Sequence, residues 1–242
     1  MNKILSQKII LITGGTSQLG RIYVTKALDE GAKVYFTYFK QKDLAKELSQ
    51  KGAHGFELNL ADTPSLDQFV KSFREKEKSL DVLIHNAAAV RDGMIQNMSE
   101  EAWDYVLNVN LKAPFYLSKK LLPLLFQRKS SKIFMLTSRL ALKGAPGVAN
   151  YAASKAGLIA VVKTMAQELG RKKVLVNAVN PGFMKSPMTA DAPESVIRQN
   201  LQDSSLGQFS NPEEVADFLI YLCSDKMTQV TGQVFHFDSR KI

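Results

Sequence analysis

Lys8-Ile-Ile-Leu-Ile-Thr13-Gly14-Gly15-Thr16-Ser17-Gln18-Leu19-Gly20 is the stretch on which the fold turns. An apolar run of strand length meets a pair of glycines, and residues 19–30 then take up helical periodicity. The unit reads as strand, tight turn, helix. Further strand-like runs follow at Lys33-Val-Tyr-Phe-Thr-Tyr38, 55–62, 80–88, 133–137, 173–180 and Val230-Thr-Gly-Gln-Val-Phe-His-Phe-Asp238, with helical patterns between them. Three helices announce their starts: Asp62-Thr-Pro64, a long one at Ser99-Glu-Glu-Ala102 that runs past Asn110, and Asn211-Pro-Glu-Glu214. Strands alternating with helices give an α/β fold, a doubly wound parallel sheet of about seven strands with helices on both faces.

The totals bound the class. The 242 residues are 45% hydrophobic and 23% charged, which suits one globular domain over 1–242 with a large core, and no Pro/Gly/Ser-rich linker divides it. The longest apolar runs are strand-sized and no export signal opens the chain, so a cytoplasmic, non-membrane protein is expected. Cys223 is the single cysteine and falls in an apolar helix pattern, where packing is its expected role. The histidines, His54, His85 and His236, lack metal spacing, so no metal is expected. The net charge of +9 attracts acidic partners, yet the basic residues are scattered and no nucleic-acid motif organises them.

Residues 138–155, Ser-Arg-Leu-Ala-Leu-Lys-Gly-Ala-Pro-Gly-Val-Ala-Asn-Tyr-Ala-Ala-Ser-Lys, carry the chemistry. Tyr151 and Lys155 are four apart and share a helix face, where an ammonium favours the phenolate. A free tyrosine with a pKa of about 10 is too weak an acid for chemistry near neutrality, and the cation is expected to lower it. Ser138 follows the run 133–137 and is expected at a strand's C-terminal end, where open parallel sheets bind ligands. A Tyr and a Lys at this spacing are common on helix surfaces, so it is their company that matters.

In the company of Thr13–Gly20, His85-Asn-Ala-Ala88 and Asn180-Pro-Gly182, in that order, the chain resembles the short-chain dehydrogenase/reductase family over essentially its whole length. The resemblance implies a nicotinamide cofactor held at the glycine turn by backbone N–H groups and a helix N-terminus, with Gly14, Thr16, Ser17, Gln18 and Leu19 in contact. Gln18 stands where the family keeps its middle glycine; either Gly15 gives the backbone room instead, or the Gln18 amide donates to a phosphate. The second strand ends in Tyr38, Phe39, Lys40 and Lys42 without an acid, and a 2′-phosphate needs a carboxylate absent and a cation near. The reading is NADPH rather than NADH, with Tyr38 and Lys40 at the adenosine end.

By the same resemblance Asn59 and Leu60 contact the adenine and Asn86 and Ala87 the adenosine half. Pro181, Gly182 and Ser186 lie beside the nicotinamide, and Lys155 grips its ribose. His85 and Ala88 depart from the family pattern, and His85 reads as a hydrogen-bonded structural residue. Pro114 has no N–H, so the carbonyl of Asn110 loses its helical partner and is expected to bind a water linked to Lys155 in a proton relay. Catalysis is then expected from Ser138, Tyr151, Lys155 and Asn110.

The helix over 150–170 is apolar on much of its circumference (Ala152, Ala156, Leu158, Ile159, Val161, Val162, Met165), which predicts burial against more than one neighbour. Relatives pair this helix across subunits, implying a homotetramer. Asn150–Ile159, Asn180–Met184 and Val90-Arg-Asp92 look most like the 3-oxoacyl-(acyl-carrier-protein) reductases of fatty acid synthesis, whose carrier would dock on Arg128, Lys129, Arg171 and Lys172. Residues 183–207, with Pro187, Met188 and Pro193, read as a substrate lid. Two other readings stay open: a related dehydrogenase acting on a sugar, steroid or small alcohol, and a non-catalytic subunit in which Gln18, Ala88 and the Ser239-Arg240 ending weaken cofactor use.

Overall fold

The computed structural model describes residues 3–186, 189 and 193–240. The apolar runs pair into one sheet: β1 (Ile9–Thr13), β2 (Lys33–Tyr38), β3 (His54–Glu57), β4 (Val82–His85), β5 (Ser131–Leu136), β6 (Val174–Asn180) and β7 (Val234–His236). Every pairing is parallel and the order is β3-β2-β1-β4-β5-β6-β7. Parallel neighbours need crossovers, and the nine helices that the described residues form supply them: α1 (Gln18–Asp29), α2 (Lys42–Gln50), α3 (Thr63–Lys76), α4 (Glu100–Leu107), α5 (Ala113–Leu125), α6 (Leu140–Lys143), α7 (Ala149–Leu169), α8 (Glu194–Asp203) and α9 (Pro212–Cys223). Alternate strand residues feed two apolar layers. Ile10, Ile12, Val34, Phe36 and Ile84 pack with α1, α2 and α9. Leu11, Tyr35, Leu83, Ile133 and Val176 pack with α3, α5 and α7 on the other face. The order reverses between β1 and β4, so the C-terminal strand ends open a crevice there.

The three announced caps form. Asp62 accepts from the Ser65 N–H (2.8 Å), Ser99 from Ala102 (3.2 Å) and Asn211 from Glu213 (2.9 Å). Two expected elements differ. The long helix from Ser99 divides into α4 and α5 around a wider π turn, Asn108–Lys112, in which the Ala113 N–H reaches back five residues to the Asn108 carbonyl. The last strand keeps only three residues, because the chain before it enters on side-chain bridges: Asn177 bonds the Val230 carbonyl and the Gln233 N–H, and Thr231 Oγ1 accepts from Val176 N–H. On α7, Leu158, Val162 and Met165 are buried as expected, whereas Ala152, Ile159 and Val161 are half-buried and Ala153, Ala156 and Ala160 exposed, so one face is left open by the described residues.

On the α1–α9 side the Tyr23 hydroxyl donates to Cys223 Sγ (3.2 Å), and burial pushes the Cys223 thiol up to about 12. Next to them the buried Lys132 ammonium donates to the Leu222 and Ser224 carbonyls, closing the C-terminus of α9.

Gly15 explains how the first turn meets the sheet. Its N–H bonds the Thr37 carbonyl (2.8 Å), and a Cβ added there would lie 2.5 Å from Phe36 Cβ and 2.9 Å from its ring. Its glycine serves packing against β2. Gly15→Ala is expected to lower stability by about 1–3 kcal/mol through overpacking, seen as a lower urea midpoint at unchanged slope; an unchanged midpoint would refute it.

Candidate active site

The C-terminal strand ends enclose a cleft of about 1190 Å³. Gly14, Thr16, Ser17, Gln18, Leu19, Tyr38, Asn59, Leu60, Asn86, Ala87, Ser138, Tyr151, Lys155, Pro181, Gly182 and Ser186 all line it. Of the residues expected at the site, Lys40 and Asn110 do not.

The glycine turn forms one wall. Gly14 has a φ of +68°, and a Cβ on it would stand 2.9 Å from Ala87 Cα, so the turn can lie on the β4 loop only without a side chain. Asn86 locks the turn by donating from Nδ2 to the Thr13 and Gly14 carbonyls and to Ser17 Oγ (3.1, 2.9 and 3.1 Å). Ser17 Oγ caps α1 by accepting from the Gly20 N–H (3.1 Å). The N–H groups of Thr16, Gln18 and Leu19 have no partner among the described residues and form a cradle at a helix N-terminus suited to an anion. Gln18 Oε1 is also buried without a partner. The three unfilled N–H groups, with a turn no Cβ could enter, fit the pyrophosphate of a dinucleotide.

The opposite wall carries the reactive groups. Lys155 is buried at the inner face of α7, and its Nζ donates to the carbonyl of Leu136, the last residue of β5 (2.7 Å). Thr137 Oγ1 returns a bond to the Lys155 carbonyl (3.1 Å). Helix and strand end are thus tied, which sets Tyr151, one turn earlier, beside Ser138. Burial lowers Lys155 to about 8. Lys155 Nζ stands 5.7 Å from the Tyr151 ring centroid. The phenol does not become more acidic as expected: burial pushes Tyr151 up to about 12, the hydrogen bond with Ser138 opposes this, and the negative charge of Asp92 adds to it. Desolvation outweighs a cation already spent on a backbone carbonyl.

Asn110 sits behind this wall, fully buried in the π turn. Its Oδ1 accepts from Ala89 N–H (2.7 Å), and its Nδ2 donates to the Ala89 carbonyl (2.9 Å) and Ser154 Oγ (3.2 Å). The side chain therefore pins the β4 loop to α7. His85, as expected, is structural: Nε2 bonds Ser118 Oγ (2.8 Å), and burial drops its pKa to about 3, so the ring is neutral. Lys40 does not line the cleft; its ammonium lies 5.1 Å from the ring centroid of Phe39, which does. Lys42 is paired with Glu57 (3.2 Å).

Of the expected lid, residues 187, 188 and 190–192, Pro187 and Met188 among them, lie outside the described residues. Helix α8 is described, and its end is clamped to the reactive wall. Arg139, next to Ser138, and Lys143 both pair with Asp203, holding that carboxyl well below the usual carboxylate range together with Gln199. Arg240 reaches the same helix through Asn200 while pairing with Asp238. Sequence reading missed Arg139 and Asp203; adjacency to Ser138 was the available signal for the first, and nothing marked the second.

Arg128 and Lys129 precede β5, and Arg171 and Lys172 precede β6, so all four lie at the N-terminal strand ends, opposite the edge where the cleft opens. Arg128 is paired with Asp81 (2.9 Å), whereas the other three are exposed. Among the described residues no group of three or more His, Cys, Asp or Glu gathers to hold a metal ion, and no helix is long and apolar enough to cross a membrane.

A family model described as enoyl-(acyl carrier protein) reductase matches residues 15–239. The chain is 37% identical to a 3-oxoacyl-[acyl-carrier-protein] reductase, FabG, of Thermotoga maritima over 239 residues, covering 97% of each chain. It is 34% identical to the Aquifex aeolicus protein of the same name, over 96% of each. A short-chain dehydrogenase/reductase structure from Serratia marcescens superposes with a TM-score of 0.90 at 28% identity, covering 98% of both chains. With the cradle and the Ser138–Tyr151–Lys155 wall facing one cleft, these likenesses show that the chain belongs to the short-chain dehydrogenase/reductase family of NAD(P)-dependent oxidoreductases.

Proposed function

We propose that this enzyme uses NADPH to reduce a 3-oxoacyl group carried on an acyl carrier protein. The observation that carries the reading is one cleft with an anion cradle on one wall and Ser138, Tyr151 and Lys155 on the other. The names of the 34–37% identical relatives support the substrate class. NADPH rather than NADH is supported by the acid-free end of β2, where Thr37, Tyr38 and Phe39 line the cleft.

The Thr16, Gln18 and Leu19 N–H groups would hold the pyrophosphate, and Lys155 the nicotinamide ribose; Pro181, Gly182 and Ser186 would flank the nicotinamide. When bound, the nicotinamide supplies the hydride. The chain's own residues manage the proton. Ser138 donates to the substrate carbonyl oxygen and holds it beside the phenol, and Tyr151 gives its proton to that oxygen as negative charge develops there. A phenol pushed up to about 12 keeps its proton at neutral pH, which suits a donor in the reductive direction. Lys155 supplies positive charge near the phenol as it turns into phenolate, and we assign the Asn110 carbonyl, in the wide turn before Pro114, to a water that returns the proton by way of Lys155.

The assembly proposed is a homotetramer in the cytoplasm. Its support is the open face of α7 together with Trp103 and Phe115, which are 37% and 47% exposed on α4 and α5. An acidic carrier would dock on Lys129, Arg171 and Lys172, with Arg128 held partly by Asp81; because these lie opposite this chain's own cleft, the carrier would serve the cleft of another subunit of the tetramer.

Tyr151→Phe is expected to cut turnover of an acetoacetyl thioester more than about a hundredfold with coenzyme affinity unchanged; full activity would end the reading. Because reduction draws on the protonated phenol and oxidation on the phenolate, the oxidative rate should climb with pH while the reductive rate falls once Lys155 loses its charge through about pH 8. Parallel pH profiles would contradict this. Arg171→Glu should raise the KM for carrier-bound substrate several-fold at low salt while leaving a small thioester unaffected; Arg128→Glu is a poorer test because it would set two carboxylates together at Asp81.

A further inference from the structure

We infer that Arg21 is the residue by which this chain recognises the coenzyme's 2′-phosphate. The inference rests on the NADPH reading and assigns the cation that reading requires. The lysines that sequence supplies for the purpose do not line the cleft: Lys40 lies over the ring of Phe39, which does, and Lys42 is paired with Glu57. Ser17 at the tip of the glycine turn is neutral and already caps α1.

Arg21 lies one turn further along α1, its N–H bonded to the Ser17 carbonyl (2.8 Å), and its side chain lines the cleft. The glycine turn is stitched to the end of β2 by Gly15 N–H to the Thr37 carbonyl and Gly14 N–H to Thr37 Oγ1. The first turns of α1 therefore stand beside the strand end at which an adenosine ribose would lie. Thr37, Tyr38, Phe39, Gln41 and Leu44 complete that end of the cleft.

Two facts point to an anion. Among the described residues no hydrogen bond or ion pair engages the Arg21 guanidinium, and its Nε is buried without a partner. A buried guanidinium donor left unmatched is costly, and a phosphate accepts from a guanidinium in a forked, charge-assisted pair. Among the described residues the only carboxylates lining the cleft, Asp92 and Asp203, belong to the reactive loop and the α8 clamp, so no described carboxylate competes at the β2 end.

The test is calorimetric binding of NADP⁺, NAD⁺, 2′,5′-ADP and 5′-ADP to the unmodified protein and to Arg21→Gln, Arg21→Lys and Lys40→Gln. Arg21→Gln should weaken NADP⁺ and 2′,5′-ADP by roughly 10–100-fold while leaving NAD⁺ and 5′-ADP within about twofold. Arg21→Lys, which keeps the charge and loses the fork, should fall between, and it carries the test if the glutamine variant does not fold. Equal weakening of all four ligands by Arg21→Gln, or a preference that survives it and vanishes in Lys40→Gln, would overturn the assignment. An unmodified protein that binds NAD⁺ as tightly as NADP⁺ would overturn the coenzyme reading itself, and the Arg21 assignment with it.

Discussion

The bond from Lys155 to the Leu136 carbonyl is the constraint on which the rest of the site depends. An ammonium withdrawn from water needs acceptors, and the end of a parallel strand offers a carbonyl that no neighbouring strand is using. Satisfying both fixes the rotation of α7 against β5. That rotation brings Tyr151 onto the cleft wall beside Ser138, which the end of β5 already presents. The cost is visible in the lowered proton affinity of Lys155. Asn110 then braces the arrangement from behind, joining the β4 loop to Ser154 on the same helix.

Much of this was legible in the chain. The strands announce themselves because segments buried on both faces must be apolar throughout, and the helix starts because Asp62, Ser99 and Asn211 are the residue types that satisfy a first turn. Sites built on short sequence separations, such as Tyr151 with Lys155, are equally open to reading. What escaped depends on encounters between distant residues. Pro114 marks a disturbed helix, but it does not say that the backbone widens to a π turn instead of kinking. Nothing in Asp203 announces that Arg139 will find it across 64 residues.

The phenol is the instructive case. Sequence places a cation one turn from Tyr151 and argues for a stronger acid. In the folded chain the cation is committed to a carbonyl, and the loss of water around the ring dominates. Proximity along a helix specifies which groups meet; the solvent left around them decides what the meeting does to a proton. The same distinction separates Lys40 from Arg21. Lys40 is closer in sequence to the end of β2 and does not line the cleft, whereas Arg21 comes from a different element and lines it.

Cys223, sealed between α1 and α9 with its sulfur accepting from the Tyr23 hydroxyl, gives the molecule an internal clock. A thiol this reluctant to ionise cannot meet an alkylating reagent until the helices part, and the chain contains no other to confuse the record. The pace at which such a reagent is consumed therefore counts excursions of the innermost packing, and ligands that never approach the sulfur will slow it only by holding the whole framework shut.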